Sequence, residues 1–173
     1  MDLLHRSGKI EERPSEITYT AVLNSCAFPV ARDSKSRRRA LDTAIFTLKE
    51  VQSSEYCSPS EATYGAFIRA CANLLHDDDE LRGEVIEEAF KQCCKDGKVG
   101  DVVLTFLRRA APADVYGELL ADFVSSDTRI TAEDLPQEWR CNVSVCPLPP
   151  PCPSRTNAGS RAVVATPESN LRP

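Results

Sequence analysis

Several things are missing from this sequence, and each absence closes a class of function. No uninterrupted apolar run approaches the roughly 18 residues that a membrane-crossing helix needs, so no membrane partner is expected. There is no G-x-x-x-x-G-K-[ST] phosphate loop, no G-x-S-x-G nucleophile turn and no H-E-x-x-H zinc helix. Histidine is nearly absent. His5 lies near the terminus and His76 in an acidic stretch, and neither stands at a useful spacing from a nucleophile. The chain is therefore not expected to be an enzyme, nor to take a cofactor or a small-molecule substrate.

Positive charge is also short. Against 26 Asp and Glu there are 21 Lys and Arg, a formal net charge of −5. That is the wrong overall sign for a protein that grips nucleic acid by its phosphates, although distribution matters more than the sum. The acids gather in HDDDELRGEVIEE at 76–88, while Lys35, Arg37, Arg38 and Arg39 form a basic cluster. Asp77, Asp78 and Asp79 have the composition of a divalent-ion cluster, but an acid run that opens a helix serves first for capping and solvation.

Cysteine is not scarce, with eight in 173 residues, yet the paired short spacings of a zinc site are absent. Cys93 and Cys94 are adjacent, and Cys141, Cys146 and Cys152 fall in a proline-rich stretch without histidine. No metal is expected. Cys26, Cys71 and Cys93 occupy apolar helical positions, where a free thiol behaves as a small hydrophobe, and this points to a reducing compartment.

What is present is a repeat. Residues 14–27 read PSEITYTAVLNSCA and residues 59–72 read PSEATYGAFIRACA, with eight of fourteen positions identical at a constant offset of 45. A fixed period of this size marks a stacked-repeat architecture. Each copy opens with a proline, then a serine able to cap free amides, then a glutamate in the first turn, where the helix dipole favours negative charge. Apolar residues follow at Tyr19, Val22, Leu23, Cys26 and Ala27, and again at Tyr64, Phe67, Ile68, Cys71 and Ala72. The spacing i, i+3, i+4, i+7, i+8 is one stripe on a helix.

Pro-x-x-x-Thr-Tyr-x-x-x-(Leu/Ile) with a small, Cys/Ala-rich helix end resembles the start of a pentatricopeptide repeat, over roughly residues 14–124. Ala40–Val51 is similar to the second helix of that family's hairpin, and Cys94–Val99 to its inter-helix turn. The stretches EEAFKQCCKDGKVGDVVLTFLRRAAP and LPQEWRCNV most resemble members from single-celled algae. The resemblance implies tandem helical hairpins stacked in a superhelix that binds single-stranded RNA, one base per repeat. It also implies a mitochondrial or plastid location and a role in RNA processing, stability or translation. Without it, the cytoplasm is the expectation.

In chain order, the expected organisation is as follows. Residues 1–13 are the end of a preceding repeat or disordered; they lack both a signal-peptide core and a transit composition, and Met1 running into a repeat suggests an incomplete N-terminus. Residues 14–58 form the first hairpin, 59–97 the second, and 98–139 a degenerate hairpin with a cap in which Trp139 lies on the last pair. Residues 140–173, with six of the twelve prolines between 147 and 167, form a disordered tail. The fold class is all-α: a helical-hairpin repeat solenoid of about three hairpins and six helices. Asp79 is expected to cap the helix 80–95, and the last helix to run from Pro112 to about Ser125.

The resemblance also implies the site. In the family, base choice rests on the residue after Thr-Tyr, paired with the residue after the proline that opens the next repeat. Here that gives Thr20 with Ser60, and Gly65 without a partner, because no third Pro-Ser-Glu-x-Thr-Tyr occurs. Ile17 and Ala62 match positions whose apolar side chains sandwich a base. Thr20 and Asn24 are four apart, as are Gly65 and Arg69, so each pair lines one stripe. Lys35, Arg37, Arg38, Arg39 and Arg69 are the expected phosphate ligands. The competing expectation is that Thr20 and Gly65 are ordinary exposed helix positions. The competing function is a helical scaffold whose partners are proteins.

Overall fold

The computed structural model describes residues 13–28, 33–76, 78–123 and 130–143, and these form seven α-helices, one 3₁₀ turn and no strand. The described chain is thus all-α. The helices are α1 (Glu16–Cys26), α2 (Ser34–Ser53), α3 (Glu61–Leu74), α4 (Asp79–Lys95), α5 (Asp101–Ala110), α6 (Ala113–Leu119) and α7 (Gln137–Arg140), with the 3₁₀ turn at Ala132–Asp134. Residues 1–12 and 144–173, which hold most of the first expected segment and of the proline-rich tail, lie outside the described residues.

Local chemistry sets the helix starts. Ser15 and Ser60 each accept from the amide three residues on, Thr18 and Thr63. At α3 the cap is reciprocal, since the Thr63 hydroxyl also accepts from the Ser60 amide at 3.1 Å. The second helix begins at Ser34, ahead of its apolar stripe, because Asp33 accepts the Ser36 amide at 2.9 Å. For α4 the cap is Asp78 rather than Asp79: its Oδ1 accepts the Leu81 amide at 3.0 Å. Gly97, at φ +66°, ends the α4 hairpin turn, with the Lys98 amide folded back to the Cys93 carbonyl. The last helix of the expected third pair, α6, is only seven residues long, and its expected end near Ser125 lies outside the described residues.

At the centre is α3, which packs against α1, α2, α4 and α5. Tyr64, Phe67, Ile68 and Cys71 are buried within it, joined by Leu23 from α1, Val51 from α2, Phe90 from α4 and Leu107 from α5 in one contiguous core. Gly65 permits the approach of α5, for a Cβ there would stand 3.1 Å from Val102 and 3.2 Å from Phe106. The chain then returns to α4. Trp139 sets its ring edge-on to Phe90 and Phe123 at 6.0 and 5.5 Å, and its carbonyl accepts the Val99 amide at 2.8 Å. Among the described residues no helix is long and apolar enough to cross a membrane.

Candidate nucleic-acid interface

Helices α1, α3 and α5 lie with α3 between the other two. Each carries an acid in its first turn: Glu16, Glu61 and Asp101. These acids do more than offset their own helix dipoles. Each reaches the N-terminus of the next element along. Glu16 Oε1 accepts from the Ser60 hydroxyl at 2.5 Å and the Thr63 hydroxyl at 2.6 Å, both at the start of α3. Glu61 Oε1 accepts the Val102 amide of α5 at 2.7 Å, and Asp101 Oδ1 accepts the Ala132 amide of the 3₁₀ turn at 3.1 Å. Glycine at position 100 is needed for the second of these, because a Cβ would collide with the Glu61 carboxylate.

The seam between α1 and α3 holds the first expected pair. Thr20 Oγ1 donates to Glu16 Oε1 at 2.9 Å and lies 2.9 Å from the Thr63 hydroxyl, so Thr20 and Ser60 converge on one carboxylate oxygen. Partial burial pushes the Glu16 carboxyl upward, but the hydrogen bonds from Ser60, Thr63 and Thr20, with the Lys98 charge, outweigh it and hold it below the ordinary carboxylate value. Beside this cluster Ile17 is 77% exposed, and Ala62 is exposed too.

One helical turn on, Asn24 accepts from the Arg69 guanidinium, which lies 5.4 Å from the ring centres of both Phe28 and Phe106. Such placement over aromatic faces stabilises the cation and orients its plane. At the far end of the seam the Asn73 amide donates to the Ala27 carbonyl at 2.9 Å. Phe28 is 64% exposed, and Val102 of α5 is partly open as well.

The other expected residues are placed differently. Gly65 is neither an open base-facing position nor an exposed one: Val102 and Phe106 cover it, because a residue without a side chain lets α5 close on α3. Lys35, Arg37, Arg38 and Arg39 belong to the first turns of α2, where Arg37 and Arg38 face Leu74 and Leu75 at the C-terminal end of α3. Ser60 caps the opposite end, so the basic cluster and the Thr20–Ser60 pair stand about 20 Å apart along a 14-residue helix. Arg38 meets Asp42 at 3.5 Å with both side chains largely in solvent, a pair of little energetic weight.

Phe28, Phe106, Glu16 and Lys98 were not reached by reasoning from sequence. Phe28 reads as the residue that closes a helix, yet it continues the 20, 24, 28 stripe, and that spacing was the available signal.

Elsewhere the chemistry is quiet. Tyr64, wholly buried, donates to Asp96 at 2.5 Å and accepts from Gln52 at 3.2 Å; burial first, and then the Asp96 hydrogen bond, raise its pKa. Burial also pushes the Cys71 and Cys94 thiols up to about 12, so they stay protonated at neutral pH. Among the described residues no three His, Cys, Asp or Glu side chains converge as metal ligands would. A groove of about 330 Å³ separates α2 from α4, lined by Ile45, Leu48, Phe67 and Val85 together with Lys49, Glu84 and Glu88. No protein-family model, curated protein or solved structure matches this chain.

Proposed function

We propose that this chain is a helical-repeat solenoid of the pentatricopeptide type, and that it binds single-stranded RNA along the seam formed by α1, α3 and α5. Its place would be in the processing, stability or translation of transcripts, in a mitochondrion or plastid. The observation that carries this reading is the register of the seam. Residues 45 apart in sequence, Asn24 and Arg69, bond across it, and Glu16 reaches Ser60 and Thr63 at nearly the same offset. Successive repeat-opening helices thus present equivalent positions to one surface, as base-per-repeat binding requires.

On that surface Ile17 and Ala62 offer apolar contact to a base, Thr20 and Ser60 offer polar contact, and Phe28 with Arg69 offers a stacking platform. Arg69 meets Asn24 one turn along the seam, and the Lys98 charge acts on Glu16 while its Nζ donates to the Asn142 carbonyl; Lys35 and Arg37–Arg39 serve only a strand long enough to reach the far end of α3. Few contacts are available, so affinity is modest, with each lost base contact costing about 1–3 kcal/mol.

Fluorescence anisotropy of a random single-stranded RNA pool, titrated with salt, tests the reading. The expected result is binding at low salt that weakens as salt rises, and that falls with Ile17→Asp or Arg69→Ala. Absence of binding at low salt, or indifference to both substitutions, overturns it. A second reading, a scaffold that binds proteins, is favoured by the apolar groove between α2 and α4. It gains if RNA is ignored under those conditions.

A further inference from the structure

Helices α2 and α4 both pack on α3, and the groove between them has a helix for each wall. Leu48, Phe67 and Ala89 are buried along it, while Ile45 and Val85 are half-buried. Lining residues recur from 45 to 52 on α2 and from 84 to 92 on α4. Each set covers two helical turns, roughly 10–12 Å of axis at the usual rise. The charges are sorted by wall. Glu84 and Glu88 stand one turn apart on α4, both exposed, and Lys49 stands exposed on α2. The side-chain amides of Gln52 and Gln92 are already spent, on the Tyr64 hydroxyl and on Asp96. Helical walls also keep their own backbone hydrogen bonds, so nothing in the groove can pair the backbone of an extended strand.

We infer that this groove docks a basic amphipathic helix of a partner protein. The occupant must arrive with its backbone groups already paired, and a helix does. Its anchors are apolar side chains spaced i, i+3 or i+4, and i+7, the reach that two turns of wall admit. Lys or Arg at i and i+4 on one flank then lies against Glu84 and Glu88, and an acid on the other flank against Lys49. Apolar burial supplies the affinity, while the sorted charges choose the partner and fix which way round it lies. The two carboxylates repel a nucleic-acid backbone from the same place. None of the seam residues Ile17, Thr20, Asn24, Ser60, Ala62 and Arg69 lines the groove, so the inference stands whether or not the seam binds RNA.

The probe is a fluorescent synthetic helix of about four turns, with leucines at that spacing, lysines along one flank and glutamates along the other. Fluorescence anisotropy with the full chain is expected to show saturable binding. A peptide with lysines and glutamates exchanged should bind about tenfold more weakly. A peptide of the same composition, shuffled to break the apolar stripe, should not bind. Changing both exposed acids, Glu84→Lys with Glu88→Lys, should reverse the preference between the first two peptides. Thermal melting of that variant reports whether the fold persists, and the peptide comparison on the unaltered protein stands without it. Equal binding of the three peptides, binding by none, or a preference unchanged in the double variant overturns the inference. So does a dimer of the chain in sedimentation that the double variant abolishes, since a second copy then fills the groove.

Discussion

Glu16 shows how much one side chain can be asked to do. Its position in the first turn of α1 suits the helix dipole, but its oxygen is spent on hydroxyls more than forty residues away. Its folded pKa lies below the ordinary carboxylate value, so its contribution to stability is fully present above that ordinary value and is lost as pH falls through the lower, folded one. Urea unfolding should therefore find Glu16→Ala less stable than the parent by about 1–2 kcal/mol at neutral pH. That gap should narrow as the pH falls below the ordinary carboxylate range. A gap that does not change with pH would mean that the carboxylate charge is irrelevant to the clasp. Tyr64 makes a second case. Phenylalanine there keeps the buried ring but strips Asp96 of a 2.5 Å donor and Gln52 of its acceptor, and should cost about 1–2 kcal/mol in the same assay.

At the scale of elements, the two repeat-opening helices were legible because their signals are local. The Ser15 and Ser60 caps, the Tyr-to-Cys apolar stripe and the glycine after α4 depend on neighbours within a few residues. The reach of Glu61 to the Val102 amide was not legible, since it depends on where α5 is carried by the turn before it. Nor was the burial of Gly65, because a glycine in a helix reads as a weak spot until the helix that covers it is known. The structure makes a graded prediction at this position. Gly65→Ala gains helix propensity against a tight 3.1 Å contact and should stay within about 1 kcal/mol of the parent. Gly65→Leu must push α5 away and should lose about 2–3 kcal/mol by chemical denaturation. Gly97→Ala, at φ +66°, should lose about 1 kcal/mol or more, with a Cβ also forced against Cys141. Equal stability of the two Gly65 variants would contradict the close approach of α3 and α5.

For the molecule as a whole, the sequence set an acidic balance against a repeat that only resembles an RNA-binding family, and the structure resolves where the charges stand. The basic run at 35–39 looked like the natural phosphate ligand because it is dense, but density along a chain says nothing of which end of a helix it will face. It meets the C-terminal end of α3, whereas Thr20 and Ser60 meet the other. Between them lies Arg69, flanked by the rings of Phe28 and Phe106. The central claim is that the seam of α1, α3 and α5 is the RNA surface, and ultraviolet crosslinking of a bound single-stranded RNA, mapped by mass spectrometry, tests it most directly. Crosslinked peptides should come from α1 and α3, at Ile17 through Phe28 and around Arg69. Crosslinks confined to residues 34–53 of α2 or to the α2–α4 groove would contradict the account.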